Sequence, residues 1–260
     1  MTDQNKVEIP DLIGLLAAVL MSIISNKWYG RGIGDVSCKY RLSFSPSSPA
    51  FGIWALIYAF AFFTALAQLY SYWANIEFFA NKTAINLYTA SWVCATLWTP
   101  VFTADNKIAL IVAAALLVST ASLALSASIV QNGWARATVD DTLKPWFIDT
   151  AFSLLAGWAT VAAVLSVGIA WKANDSEPDM CDFYPHRGNI LTPPFSRRFE
   201  FPLVFIAVSV STISVWNYDP IMPLPVAWAI FFTRPNYGSC TALILCVLYS
   251  TITFVLVYSI

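Results

Sequence analysis

Residues 45–58 read SPSSPAFGIWALIY, a proline- and serine-bearing lead that passes directly into an apolar run. Phe51, Trp54 and Tyr58 recur there at helical spacing, so three large rings share one face, and Ala61 continues the stripe with a small residue. Around this stretch, long apolar windows fall at residues 10–26, 49–73, 85–102, 108–131, 146–171, 199–216 and 239–260. Most run for about twenty residues, the length that crosses a hydrocarbon core roughly 30 Å thick. Between the last two lies IMPLPVAWAIFFTRP at 221–235, with Pro223 and Pro225 near its start. It is read as a short eighth span, with a re-entrant segment as the alternative.

The composition agrees. The chain is 58% hydrophobic and 11% charged, against roughly 25% charged in a soluble domain, and its mean hydropathy is +0.65. An all-α, multi-pass integral membrane protein is expected, because helices satisfy their own backbone polar groups in lipid. The amino terminus shows no small-residue cleavage pattern, so the first apolar window is read as a retained span. A net charge of −1 without a basic run gives no footprint for nucleic acid. Cys94, Cys240 and Cys246 fall in apolar windows, while Cys38 and Cys181 lie in loops and can in principle meet, a distribution that predicts no disulfide framework.

With eight spans, Lys27, Arg31, Lys39, Arg41, Lys107, Lys172, Arg187, Arg197, Arg198 and Arg234 gather on one side. Lys6, Lys82, Arg136 and Lys144 lie on the other. The positive-inside rule places the first group in the cytoplasm or its organellar equivalent. The expected organisation is a five-span bundle over 1–171, a polar, proline-rich loop over 172–198, and a membrane extension of two to three spans over 199–260. Of two sequons, this topology leaves only the one at Asn81 accessible, and chance accounts for both.

Trp28, Trp73, Trp134, Trp146 and Trp171 sit at span ends, where amphipathic rings favour the headgroup layer. Trp54, Trp92, Trp98, Trp158, Trp216 and Trp228 lie further inside and need a packing partner or a ligand. The third span aligns Ser91, Ala95, Trp98 and Phe102, and the fifth aligns Ala151, Leu155, Trp158 and Ala162. Convergence of these faces with the Phe51 stripe would leave an aromatic slot suited to a planar, apolar ligand.

These residues resemble the TspO family of tryptophan-rich sensory or translocator proteins. Pro46, Phe51, Trp54 and Tyr58 follow its proline-bearing loop and F-x-x-W-x-x-x-Y helix start. ATLWTPVF is similar to its N-x-x-W-S-P-x-F motif through Trp98, Thr99, Pro100 and Phe102. AFSLLAGWATVAAVLSV resembles its P-F-S-x-Y-x-G-W-x-T-V-A-x-x-x-N motif through Phe152, Ser153, Gly157, Trp158, Thr160, Val161 and Ala162. The likeness covers roughly residues 10–171, and the added carboxy-terminal spans resemble an elongated branch. Ala95, Ala151, Leu155 and Ser166 stand where the family carries asparagine, proline, tyrosine and asparagine, so the polar anchors are thinned.

The resemblance implies a five-helix bundle with an internal pocket, closed by the first loop, that takes a porphyrin-type tetrapyrrole or a sterol-like molecule as a sensor or carrier would. Pro46, Phe51, Trp54, Tyr58, Trp98, Phe102, Trp158 and Ala162 are the implied ligand-binding residues. Some members degrade porphyrin in light, a role that would fall to Trp54 and Trp158. The alternative is a non-catalytic accessory subunit of a photosynthetic or respiratory membrane complex, its pocket holding lipid or pigment. Expected partners are the bilayer, a small hydrophobic ligand and a large complex or a second copy, in a plastid, mitochondrial or cytoplasmic membrane. The sole histidine, His186, lies in the longest loop, so no span offers an axial ligand for haem and no metal site is expected. The sequence shows no paired carboxylates, Ser-His-Asp set or phosphate loop, and thus no catalytic residues. Asp149 and Gln68 are read as groups near helix ends that reach water, and Asp219 as an ordinary span-end residue.

Overall fold

Helices account for nearly all of the described chain because its apolar windows have no other way to satisfy backbone groups in lipid. The structure is a computed structural model and describes residues 9–28, 32–42, 45–74, 80–138, 146–175, 201–217, 219–233, 242 and 244–252. The elements are α1 (Ile9–Trp28), α2 (Ile33–Lys39), a 3-10 helix (Ser48–Gly52), α3 (Ile53–Trp73), α4 (Lys82–Thr103), α5 (Lys107–Thr138), α6 (Trp146–Asp175), α7 (Phe201–Asn217) and α8 (Pro223–Phe231). Residues 244–252 are also helical. Three helical stretches, Pro49–Trp73, Lys107–Gly133 and Phe147–Asn174, are long and apolar enough to cross a membrane, and Asp11–Ile24 and Phe205–Asn217 are shorter apolar stretches. The chain is an integral membrane protein.

The first five long helices close into a ring. α1 packs on α4, α4 on α5, α5 on α6, α6 on α3, and α3 back on α1. Polar contacts stitch the helices: Tyr88 Oη of α4 donates across the ring to the Ala151 carbonyl of α6 at 3.1 Å, Thr96 Oγ1 to the Ala18 carbonyl of neighbouring α1 at 3.3 Å, and the Ser22 and Tyr58 hydroxyls pair at 3.1 Å. In lipid such bonds join helices where burial of apolar surface gives little drive.

The two ends of the ring are tied differently. At one end Lys39 Nζ meets Asp105 Oδ2 at 2.6 Å, Lys172 Nζ donates to the Arg41 carbonyl at 2.9 Å, and Lys107 Nζ lies 3.5 Å from the Asn174 carbonyl. Asp105 adopts φ 51°, a left-handed turn that aspartate tolerates, and this turns α4 sharply into α5. At the other end Lys82 Nζ faces Asp11 at 3.8 Å, and Gln131 links the Asn81 N–H at 3.0 Å to Asp149 Oδ1 at 3.1 Å. The side chain of Asn81 accepts from the Thr83 and Ala84 N–H groups as the N-cap of α4. Asn81 is therefore buried and engaged, and the accessible sequon expected there is not available to a glycan.

α6 carries the extension. Residues 151–159 are buried without interruption, since α6 touches α3, α5, α7 and α8. Gly157 makes this closeness tolerable: a methyl group there would run into the Met222 carbonyl at the start of α8. The backbone at 219–222, ahead of α8, is non-helical, and buried Asp219 satisfies it. Its carboxylate accepts from Ser153 Oγ at 2.6 Å, Ser128 Oγ and Asn132 Nδ2 at 3.2 Å each, and the Ile221 and Met222 N–H groups at 3.0 and 3.1 Å. Ser214 Oγ donates to the Asp219 carbonyl. Asp219 thus holds the extension onto α5 and α6, where the sequence reading gave it no special part. A buried carboxylate is tolerated only with such a set of donors.

α8 has nine residues, about 13 Å of helix, roughly half a hydrocarbon core. α6 runs through Asp175, four residues into the stretch read as loop. His186, Cys181 and most of the 172–198 connector lie outside the described residues. Trp73 and Trp171 point outward, 77% and 70% exposed, as span-end rings should. Trp216, expected to need a partner, is 82% exposed: it ends α7 on the face turned away from the ring.

Candidate functional site

The proline-bearing stretch at 45–52 folds as a cover. Ser45 and Leu42 exchange bonds at 3.1 Å, N–H to carbonyl one way and N–H to hydroxyl the other. Ser47 then leads the 3-10 helix, in which Pro49 occupies an early position that needs no N–H. This short helix delivers Phe51 and then Trp54 to the inside of the ring.

There, rings from α3, α4 and α6 meet. Trp54 lies 6.2 Å from Trp158 between centroids, with planes at 83°, and Phe51 meets Trp158 edge-on at 5.9 Å. Trp54 stacks on Tyr58 at 5.5 Å, Tyr58 on Trp92 at 5.3 Å, and Trp98 on Phe102 at 5.1 Å. Offset and edge-on arrangements of this kind are those aromatic quadrupoles prefer.

A cavity of about 250 Å³ opens beneath the cover. Pro46, Phe51, Trp54, Trp98, Phe102, Trp158 and Ala162 line it. Tyr58 does not: it lies one ring deeper, behind Trp54, with its hydroxyl on Ser22. Sequence reasoning did not single out other wall residues, namely Ile33, Ser37, Cys38 and Arg41 from α2 and its end, Leu117 from α5, and Leu165 and Ile169 from α6, and it named Ser166 only as the replacement of a family asparagine. Ala162, Leu165, Ser166 and Ile169 follow Trp158 at helical spacing, a signal that was present in the sequence. The α2 contribution was not readable, because it depends on the Lys39–Asp105 and Lys172–Arg41 ties that fold α2 across the ring's end.

The wall is mostly apolar but carries unmet polar groups. Trp98 Nε1, Trp158 Nε1 and Ser166 Oγ are buried and find no hydrogen-bond partner among the described residues. Each belongs to a residue that lines the cavity, and a buried polar group without a partner costs about 1–3 kcal/mol. Arg41 adds a permanent positive charge at the mouth. Cys38, on the rim, is disulfide-bonded, and it is one of the two loop cysteines that the sequence left able to pair, while Cys94 and Cys246 are free.

Asp149 and Gln68 take no part in the cavity wall. Asp149 is held by Gln131, and Gln68 is fully buried on α3, not at the water-reaching position expected of it. Neither Gln68 amide atom, nor Thr64 Oγ1 one turn earlier, has a partner among the described residues.

A sequence model of the family described as TSPO-like protein matches residues 8–179, which takes in the five-helix ring and ends before α7. No curated protein and no solved structure gives a match.

Proposed function

The chain belongs to the TSPO-like protein family, and from that premise we propose that it is a membrane-embedded binding protein, acting as sensor or carrier, for a flat, largely apolar ligand bearing acceptor atoms. Porphyrin-type tetrapyrroles are the first class to test, with sterol-like molecules second. The observation that carries this reading is the convergence of Phe51, Trp54, Trp98, Phe102 and Trp158 on one largely apolar cavity. Their rings offer a planar ligand apolar surface. At about 250 Å³ the cavity falls just under the ~300 Å³ at which pockets for drug-sized ligands begin. The cavity's size suits a compact ring system, and a full tetrapyrrole requires the cover to move.

Titration with a free-base porphyrin in detergent tests the proposal through tryptophan fluorescence. Saturable quenching is expected, and replacing Trp54 and Trp158 together by Leu should abolish it while the unfolding transition is retained. Unchanged affinity in that double variant refutes the pocket.

A second reading, an accessory subunit of a larger membrane complex, draws on the extension beyond the family match. Phe205, Trp216 and Phe231 are exposed there and give apolar lateral surface. Mild solubilisation followed by native-gel mass analysis separates the two: comigration with a large assembly supports the subunit, and migration as a small species supports the binding protein.

A further inference from the structure

We propose that α8 is the fastener of the pocket cover, so that ligand exchange requires its contacts with residues 47–50 to open. The extension reaches back to the cover over a long separation in sequence. The Ser47 N–H donates to the Phe232 carbonyl at 2.9 Å, and Trp228 Nε1 donates to the Ala50 carbonyl at 2.8 Å. Trp228 and Phe232 also meet edge-on at 4.8 Å, bracketing the point of attachment.

The far end of α8 is fixed. Asp219 binds it to α5 and α6, and the Met222 carbonyl packs on Gly157, the neighbour of Trp158. A short rigid rod anchored on the cavity's own wall helix therefore grips the cover at its free end. The cover supplies Pro46, Ser47 and Phe51 to the cavity, so releasing it uncovers the site. α8 lies outside the 8–179 family match, which makes the fastener a property of this extension rather than of the five-helix ring.

Two substitutions remove the attachment with little other change. Trp228→Phe keeps a ring beside Phe232 and deletes the N–H. Ser47→Pro deletes the other donor, and Ser47 already has φ −70°, which proline adopts without strain. The readout does not depend on knowing the ligand: a cysteine placed on the cavity wall by Ala162→Cys is modified with a small water-soluble methanethiosulfonate, and its rate is read by mass spectrometry of that site. Each net hydrogen bond removed should raise the rate about 3- to 10-fold, as its share of stability implies, and both together should raise it more. Trp216→Phe, on the exposed face, should leave it unchanged. A rate unaltered in both single variants, with unfolding temperature preserved, overturns the proposal. If one variant fails to fold, the other decides. Failure of porphyrin binding would leave this result standing, because wall accessibility is measured without ligand.

Discussion

Asp219 and Ser166 show how two polar side chains buried in the same bundle serve opposite ends. Around Asp219 five donors converge, and the residue holds non-helical backbone inside the protein. Asp219→Asn offers one acceptor oxygen in place of two and turns an amide N–H₂ toward donors. It should cost about 2–3 kcal/mol, seen as a fall of roughly 5–10 °C in detergent unfolding temperature. Ser166 is the reverse case, since its hydroxyl is buried on the cavity wall without a partner. Ser166→Ala should leave stability unchanged or raise it, while weakening ligand binding about 3- to 10-fold if the hydroxyl meets a ligand acceptor. Calorimetric or fluorescence unfolding beside a porphyrin titration distinguishes the two effects. Loss of stability together with unchanged affinity would assign Ser166 a packing role.

Among the elements, α2 is the one whose position rests most visibly on charge. Lys39, partly exposed outside the spanning helices, has its pKa raised above the ordinary lysine value of 10.5 by its hydrogen bond with Asp105. A raised folded value means the tie is fully present below the ordinary lysine range and is lost as pH climbs through the folded value. The hydrogen-exchange protection factor at α2, the rate corrected for its base-catalysed intrinsic rise, should therefore hold up to about pH 10 and fall above it, and Lys39→Met should lower it at neutral pH. Equal protection in that variant would show that the tie does not hold α2. The long helices were legible beforehand, because runs of apolar residues at membrane length admit few other structures, and the stripe at 51, 54 and 58 announced which face turns inward. What escaped the sequence depends on distant partners. Nothing near Asp219 reveals that Ser128, Asn132 and Ser153 will surround it, and Trp216 faces outward because the helix it ends packs on the ring by another side. The short α8 was visible as an odd apolar stretch, but its grip on residues 47–50 joins positions 178 residues apart and leaves no local mark.

For the molecule as a whole, a ring of five helices encloses aromatic surface that three separate sequence motifs supply, and an extension packed on α5 and α6 reaches round to the cover. Trp54 and Trp158, a hundred residues apart, sit 6.2 Å from each other on the wall of a shared cavity, whereas Trp73, Trp171 and Trp216 face outward. Among the described residues the tryptophans thus divide into those gathered inside the ring and those facing outward. Photolabelling with a diazirine-bearing porphyrin, followed by peptide mapping, tests this division most directly. Adducts concentrated at 45–54, 98–102 and 158–169, competed away by unlabelled porphyrin, are the expected result. Adducts confined to the outward-facing segments around Trp73, Trp171 and Trp216 would contradict the account.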